Sequence, residues 1–438
     1  MVLFSLGYSS MASAATLETG IRLFQRLSGV PPTSGELSQI EDLAAANNLK
    51  GIAELATNTR GFINTTVKAW AAPMSNVSAQ ASVEFNDFTA TIVGLVRDEA
   101  PLDQMMWDDV TYVGNRANLL AVVGNPISVP QPAYYRNDHW RQLELKGVDL
   151  NDPSLFERAL QSSLSDARGA ALLPEQTMGV MTSHASAEAF LQAGTNRRMV
   201  RFMLIDFMCV DMEQLHDTTL SDFMVRRDVP RNAGGDSRTY INTCAGCHAG
   251  MDPLANAFNL YDTFTVVGGM QEPLGIMVKY DSAKVQNIPG LPQNKAETMV
   301  EQANKVTRNY QNYPEGFRPR QQDGNIERWV NQWTVGQNSF LGFRTPAKQV
   351  GEPDSDVPNI NMGNGIKSLG RVFGATTQFS RCMAQRAYSS VCNRKAPYSQ
   401  KEIGLFANLA ESFDNQGRSG KALFVDSAVA CIENEMGE

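Results

Sequence analysis

Cys244-Ala245-Gly246-Cys247-His248 is the one stretch of this chain whose residue types and spacing together name a chemistry. Two cysteines three positions apart fall on one face of a helical turn, and a histidine directly after the second shares that face. Thiols placed in this way can add to the two vinyl groups along one porphyrin edge while the imidazole reaches the iron, and C-x-x-C-H is the attachment signature of a c-type haem. With six cysteines and four histidines in 438 residues, random placement produces the pattern in roughly one such chain in a thousand. The expected cofactor is one covalent haem c, anchored by Cys244 and Cys247, with His248 as the proximal iron ligand.

Two other chemistries use similar residues. A thioredoxin-like redox pair normally follows a strand in a βαβ setting, whereas the polar, Gly-containing Arg231 to Arg238 precedes this motif. A zinc site would want four ligands at matching spacings, and the chain has no second C-x-x-C and no H-x-x-x-H. P-loop, H-E-x-x-H, G-x-S-x-G and Rossmann-type glycine patterns are also missing from the sequence.

The sixth iron position decides what a haem here could do, since a closed one favours electron transfer and an open one admits peroxide or oxygen. Met251 is too close to His248 in sequence to reach the opposite side of the porphyrin. Met362, between Pro358 and Gly365 and just before a helical pattern, is the first choice as sixth ligand, followed by Met277 and Met270. His139, His184 and His216 are the remaining histidines, each of a kind that more often completes a core or a surface than binds a metal.

The elements that must position these residues read as mainly helical. From Thr16 onward Leu17, Ile21, Phe24 and Leu27 recur at helical spacing, Val30-Pro31-Pro32 ends the run, and Thr33 with Glu36 forms a capping-box pair. Amphipathic runs at Phe62 to Trp70, Phe85 to Val96 and Leu102 to Tyr112 extend the helical pattern. Asp152-Pro153 and Asp252-Pro253 each look like an aspartate cap with proline in the first turn of a new helix. In the second case Leu254, Ala257, Phe258 and Tyr261 line one face, which could wall a porphyrin or simply pack in the core. Val266 to Val357 reads as loops, short strands and at most two helices, and helical patterns resume from Gly365.

The fold expected is mainly α and multi-domain, with a c-type cytochrome-like haem domain flanked by helical domains. Its expected segments are a leader remnant at 1–14, an N-terminal helical domain at 15–130, a middle helical domain at 131–230, a haem domain with a loop-rich insertion at 231–357, and a C-terminal helical domain at 358–438. The leader expectation rests on a short apolar stretch followed by an A-x-A pattern ending at Ala14, without a basic start. No later segment approaches the roughly 18 uninterrupted apolar residues of a membrane span. A net charge of −8 and the lack of a Lys/Arg-rich run exclude nucleic acid as the natural partner.

Setting the motif pair aside leaves Cys209, Cys382, Cys392 and Cys431, an even number that allows two disulfides in three connectivities. A single helix from Phe373 to Asn393 would hold Cys382 and Cys392 about 15 Å apart at ~1.5 Å per residue, beyond the roughly 7 Å limit for a bridge. If the C-terminal region is an up-down-up set of three helices, Cys392 and Cys431 fall at the same end, which leaves Cys209 for Cys382. Four buried free thiols are the alternative.

The run from Cys244 to Leu254, with Asp252-Pro253-Leu254 after the histidine and Asp262 further on, resembles the large single-haem cytochrome-c-like proteins assembled from domains of unknown function. Gly179 to His184, Arg197-Arg198 and the helix ending at Cys209 are similar to that family's segment before the haem domain. Gly365 to Leu369, Phe379, Cys382 and Tyr388 are similar to its C-terminal helical domain, and Leu27 to Pro32 fits as well. The chain departs from the family at Val210 to Gln214, where a proline run is frequent, at Ala255, where glycine is usual, and over Asn304 to Pro353, which has no clear counterpart. The resemblance implies a haem, an extracytoplasmic or periplasmic location and redox work.

Three functions follow as expectations. The first is an exported mono-haem protein that transfers electrons with a redox partner, which its acidic balance suggests is basic. The second is a haem oxidoreductase of peroxidase or oxygenase type with an open sixth position, in which a residue such as His184 serves as distal acid or base. The third is a non-catalytic assembly subunit bound to a partner subunit, which would occupy the roughly 300 residues beyond the ~100 that a mono-haem fold needs.

Overall fold

The computed structural model describes residues 16–124, 129–164, 172–191, 196–225, 229–267, 273–280, 327–338, 342 and 360–436. The expected leader, Met270 and most of the 304–353 stretch lie outside the described residues.

The architecture is mainly α. Helices α1 (Leu17–Ser28), α2 (Ser34–Ala45) and α3 (Leu49–Thr57) open the chain and bury Leu23, Phe24, Leu27, Ile40 and Ile52 completely. The Thr33/Glu36 capping box forms as expected: the Thr33 amide donates to the Glu36 carboxylate at 2.6 Å, and the Glu36 amide donates to Thr33 Oγ1 at 3.3 Å. A cap of this kind contributes about 1 kcal/mol. After a wide turn at Phe62–Val67 come α4 (Lys68–Ala71) and α5 (Asp87–Arg97). Every residue of α5 from Asp87 to Val96 is buried, because other elements cover it on all sides.

Two helical expectations fail in this region. Leu102 to Tyr112 is a short 3-10 turn at Leu102–Met106 that gives way to strand β1 (Thr111–Gly114), antiparallel to β2 (Phe156–Ala159). The β-branched and aromatic run Thr111-Tyr112-Val113 suits a pleated strand better than a helix. Asp152-Pro153 starts a turn rather than a helix, because the Asp152 carboxylate accepts the Ser154 amide at 2.8 Å and the chain then enters β2.

Helices α6 (Arg116–Val123), α7 (Asp138–Leu145), α8 (His184–Ser186) and α9 (Asn196–Met208) follow, then α10 (Ser237–Thr239) and α11 (Gly246–Ala255). Beyond α11 come the hairpin β3 (Tyr261–Val267) and β4 (Pro273–Tyr280) and the pair β5 (Arg328–Val330) and β6 (Met362–Asn364); β4 and β5 fall within the stretch where short strands are expected, whereas β3 begins before it and β6 follows it. The chain closes with α12 (Gly365–Gly374), α13 (Thr377–Val391), α14 (Gln400–Asn415) and α15 (Gly420–Met436).

Phe373 to Asn393 is not one helix: the chain breaks at Thr376, whose Oγ1 accepts the Phe379 amide at 3.2 Å and caps α13, which still carries Cys382 well before Cys392 at its end. Helices α13, α14 and α15 pack on one another through short links, so successive helices run in opposite directions. Cys392 at the end of α13 therefore meets Cys431 near the end of α15, with sulfurs 2.17 Å apart. Cys209, just past α9, meets Cys382 of α13 at 2.04 Å. Both pairings are those that an up-down-up set of three C-terminal helices would give, and the alternative of four free thiols is not found.

Buried side chains from Leu23 to Ile432 make one contiguous apolar cluster that joins the two ends of the chain. Phe424 of α15 packs edge-on against Phe62 at 5.3 Å and Trp70 at 5.2 Å, and Arg26 of α1 pairs with Glu435 at 2.8 Å. Among the described residues no helix is long and apolar enough to cross a membrane.

Candidate functional site

A wide π turn at Tyr240–Ala245 runs without a break into α11, so Cys244, Cys247 and His248 lie on one continuous helical segment. At ~100° per residue these three share one side, and Gly246 points to the other. Tyr240 fixes the approach: its hydroxyl donates to Asp222 Oδ2 at 2.8 Å, and the Arg231 guanidinium lies over its ring at 4.5 Å.

Cys244 and Cys247 are half-buried and not disulfide-linked, unlike the other four cysteines. The Cys247 thiol donates to the Met212 carbonyl at 3.4 Å. Burial pushes its pKa up, and the acidic groups of Glu213 and Asp211 add to the rise. A thiol held in its protonated form is a poor nucleophile for disulfide exchange, and helical turns rather than a strand precede the motif. Both observations run against the thioredoxin-like reading.

His248 sits one helical turn before Asp252, and its Nδ1 lies 3.2 Å from Asp252 Oδ1. The Asp252 side chain is fully buried and is gripped by Arg197 of α9, Nε to Oδ1 at 2.7 Å and Nη2 to Oδ2 at 3.0 Å. A carboxylate in a two-pronged bond to a guanidinium can only accept from a neighbouring ring nitrogen, so Nδ1 carries the proton and Nε2 holds the free lone pair. Helix α9 packs along α11 and brings Arg197 to this point.

Here the expectation of a new helix at Asp252-Pro253 is corrected. Helix α11 continues through both residues to Ala255, and Asp252 serves as a side-chain partner rather than a cap. Pro253 has no N–H to give the Ala249 carbonyl, and the Gln332 side-chain amide makes that bond instead, at 3.0 Å. Leu254, Ala257, Phe258 and Tyr261 are all buried in the common core, with Tyr261 already in β3.

Two glycines let neighbours approach the motif helix closely. A Cβ on Gly246 would lie 2.8 Å from the His216 ring, and one on Gly250 would lie 2.4 Å from the indole of Trp333. His216 is thus brought to the motif, but against the side opposite Cys244, Cys247 and His248. Its Nε2 is buried and has no hydrogen-bond partner among the described residues.

The other nominated ligands lie in settings of their own. His139 is buried with both ring nitrogens occupied: Nε2 accepts the Gly114 amide at 2.9 Å and Nδ1 meets the Pro130 carbonyl at 2.7 Å. His184 begins α8, where its backbone amide donates to Asp87 Oδ2 at 2.6 Å. Met362 is in strand β6, exposed, and its sulfur accepts from Arg328 Nη2 at 3.0 Å. Met277 belongs to β4, opposite Phe264.

The donor set fits a haem c on its chemistry: two unpaired thiols one turn apart, followed by an imidazole whose Nδ1 is engaged and whose Nε2 is left for iron. Among the described residues no group of three or more His, Cys, Asp or Glu side chains is arranged to hold a metal ion by itself. A cleft of about 620 Å³ lies elsewhere, lined by residues that include Trp70, Cys209, Arg386 and Tyr398. Asp252, Arg197 and Gln332 were not assigned to the site from sequence, although the i, i+4 spacing of His248 and Asp252 was visible there. Comparison with protein-family models, with curated proteins and with solved structures gave no match, so the site is read from its own residues.

Proposed function

We propose that this chain is an exported protein carrying one haem c, and that it passes single electrons to or from a redox partner protein. The observation that carries the reading is the pairing state of the six cysteines. Four close into two disulfides, while Cys244 and Cys247 remain as thiols on the helical face of His248. Cys244 and Cys247 would hold the haem, each thiol adding across one vinyl group with sulfur bonding to one carbon and the proton passing to the other, and His248 would be the iron ligand through Nε2. When bound, such a group supplies one-electron chemistry at a potential set by its ligands, its burial and the hydrogen bonds around it.

The two disulfides support an oxidising, extracytoplasmic compartment such as the periplasm. The net charge of −8 favours a basic partner, by attraction during encounter.

A second reading, an oxidoreductase with an open sixth position, is favoured by a separate set of observations. His139 has both nitrogens occupied, His216 lies behind the motif, and the Met362 sulfur is held by Arg328. Spectra of the reduced protein with and without carbon monoxide separate the two. No spectral change on adding the gas is the result expected for electron transfer through a closed iron. Rapid and complete binding moves the assignment to the open site, and a purified protein without covalent haem overturns both.

A further inference from the structure

We infer, building on the haem reading above, that Asp252 clamped by Arg197 is a positioning residue that strengthens His248 as an electron donor and keeps the reduction potential low. Three observations converge on it. The carboxylate is fully buried, so its bond to Nδ1 is not exchanged for water. Arg197 holds both of its oxygens, at 2.7 and 3.0 Å, so it cannot turn away from the imidazole. Arg197 in turn sits near the start of α9, whose far end is fastened to α13 through Cys209 and Cys382.

A charged acceptor on Nδ1 does two things to a metal-bound imidazole. It fixes the tautomer and the ring plane, and it draws the Nδ1 proton toward itself so that Nε2 becomes more basic. A more basic ligand stabilises the oxidised, more highly charged iron over the reduced one. The partly buried positive charge of Arg197 remains if the carboxylate is removed, which moves the balance further toward the reduced state. Asp252→Asn is therefore expected to raise the potential, and both effects act in that direction.

Arg197→Lys retains the charge but replaces a planar two-pronged donor by a point donor, which frees the carboxylate to rotate away from Nδ1. Its expected shift has the same sign and is smaller.

The test uses the full chain, matured in a host competent to attach haem, and reads the midpoint potential by spectroscopic redox titration. For Asp252→Asn the expected change is at least tenfold in the reduced-to-oxidised ratio at a fixed ambient potential, which is ~59 mV for one electron. Arg197→Lys serves if the asparagine variant does not fold. The wild type adds an independent reading, since proton NMR of its reduced form should show a His248 Nδ1 proton protected from exchange with solvent. Unchanged or lowered potentials in haem-loaded variants, or a freely exchanging Nδ1 proton, overturn the role of Asp252 and leave the haem reading intact. Wild-type protein without covalent haem overturns the haem reading itself.

Discussion

The Gln332 side-chain amide donates to the Ala249 carbonyl at 3.0 Å, making the bond that Pro253 cannot make. A proline inside α11 is tolerated because an element distant in sequence supplies the missing donor. Gln332→Ala would leave a carbonyl unsatisfied on a fully buried residue, a loss of about 1–3 kcal/mol. Denaturant titration should show this as a lower midpoint with an unchanged slope. An unaltered midpoint would mean that the carbonyl finds another partner.

Trp333 belongs to the same turn and packs on Gly250, where a methyl group would lie 2.4 Å from the indole. Gly250→Ala is expected to cost about 1–3 kcal/mol through overpacking. Trp333→Phe in the same chain should recover part of that loss, because the smaller ring withdraws the atoms that clash. A double-mutant cycle with no coupling between the two changes would reject the contact.

Much of the helical framework was legible in the sequence because its signals are local. Thr33 and Glu36 announced the capping box, and the rise of a helix kept Cys382 from Cys392, while the observed partners followed only on the condition of an up-down-up set of three C-terminal helices. The failures came where one local pattern has two outcomes. Asp-Pro was read twice as a helix start. At Asp152 it makes a turn, and at Asp252 it lies inside a helix, where Gln332 and Arg197, far away in sequence, decide the matter. Leu102 to Tyr112 matched a helical period over a short window, and the preference of Thr111 to Val113 for a strand prevailed. The shared helical face of Cys244, Cys247 and His248 was legible from their spacing, while Arg197 and Gln332 came from other segments and gave no signal at the motif itself.

The disulfides carry a prediction about stability. Cys431→Ser should lower stability by about 2–4 kcal/mol, the usual scale for a native bridge. The unreduced, denatured wild type should show two titratable thiols before haem attachment, those of Cys244 and Cys247. A larger count would reject one of the two pairings.

His139 predicts a pH dependence. Burial lowers its pKa to about 4, from an ordinary value of 6.5. The unfolded chain therefore takes up the proton more readily than the folded one. The stability that neutral His139 supports is complete above about pH 6.5, declines as the pH falls, and levels off below about 4. At ~1.4 kcal/mol per unit this amounts to about 3 kcal/mol. His139→Gln should be less stable than wild type at pH 7.5, and the gap should narrow by about that amount at pH 4. A gap that stays constant with pH would contradict a neutral, buried imidazole.

The most direct measurement is mass spectrometry of the peptide that contains Cys244 and Cys247, taken from full-length protein matured in a host competent for cytochrome c assembly. The account predicts that this peptide carries the added mass of one haem, and that the Cys247→Ser chain, held by a single thioether, shows a shifted reduced spectrum. The peptide recovered at its bare mass, with both thiols free, would contradict it.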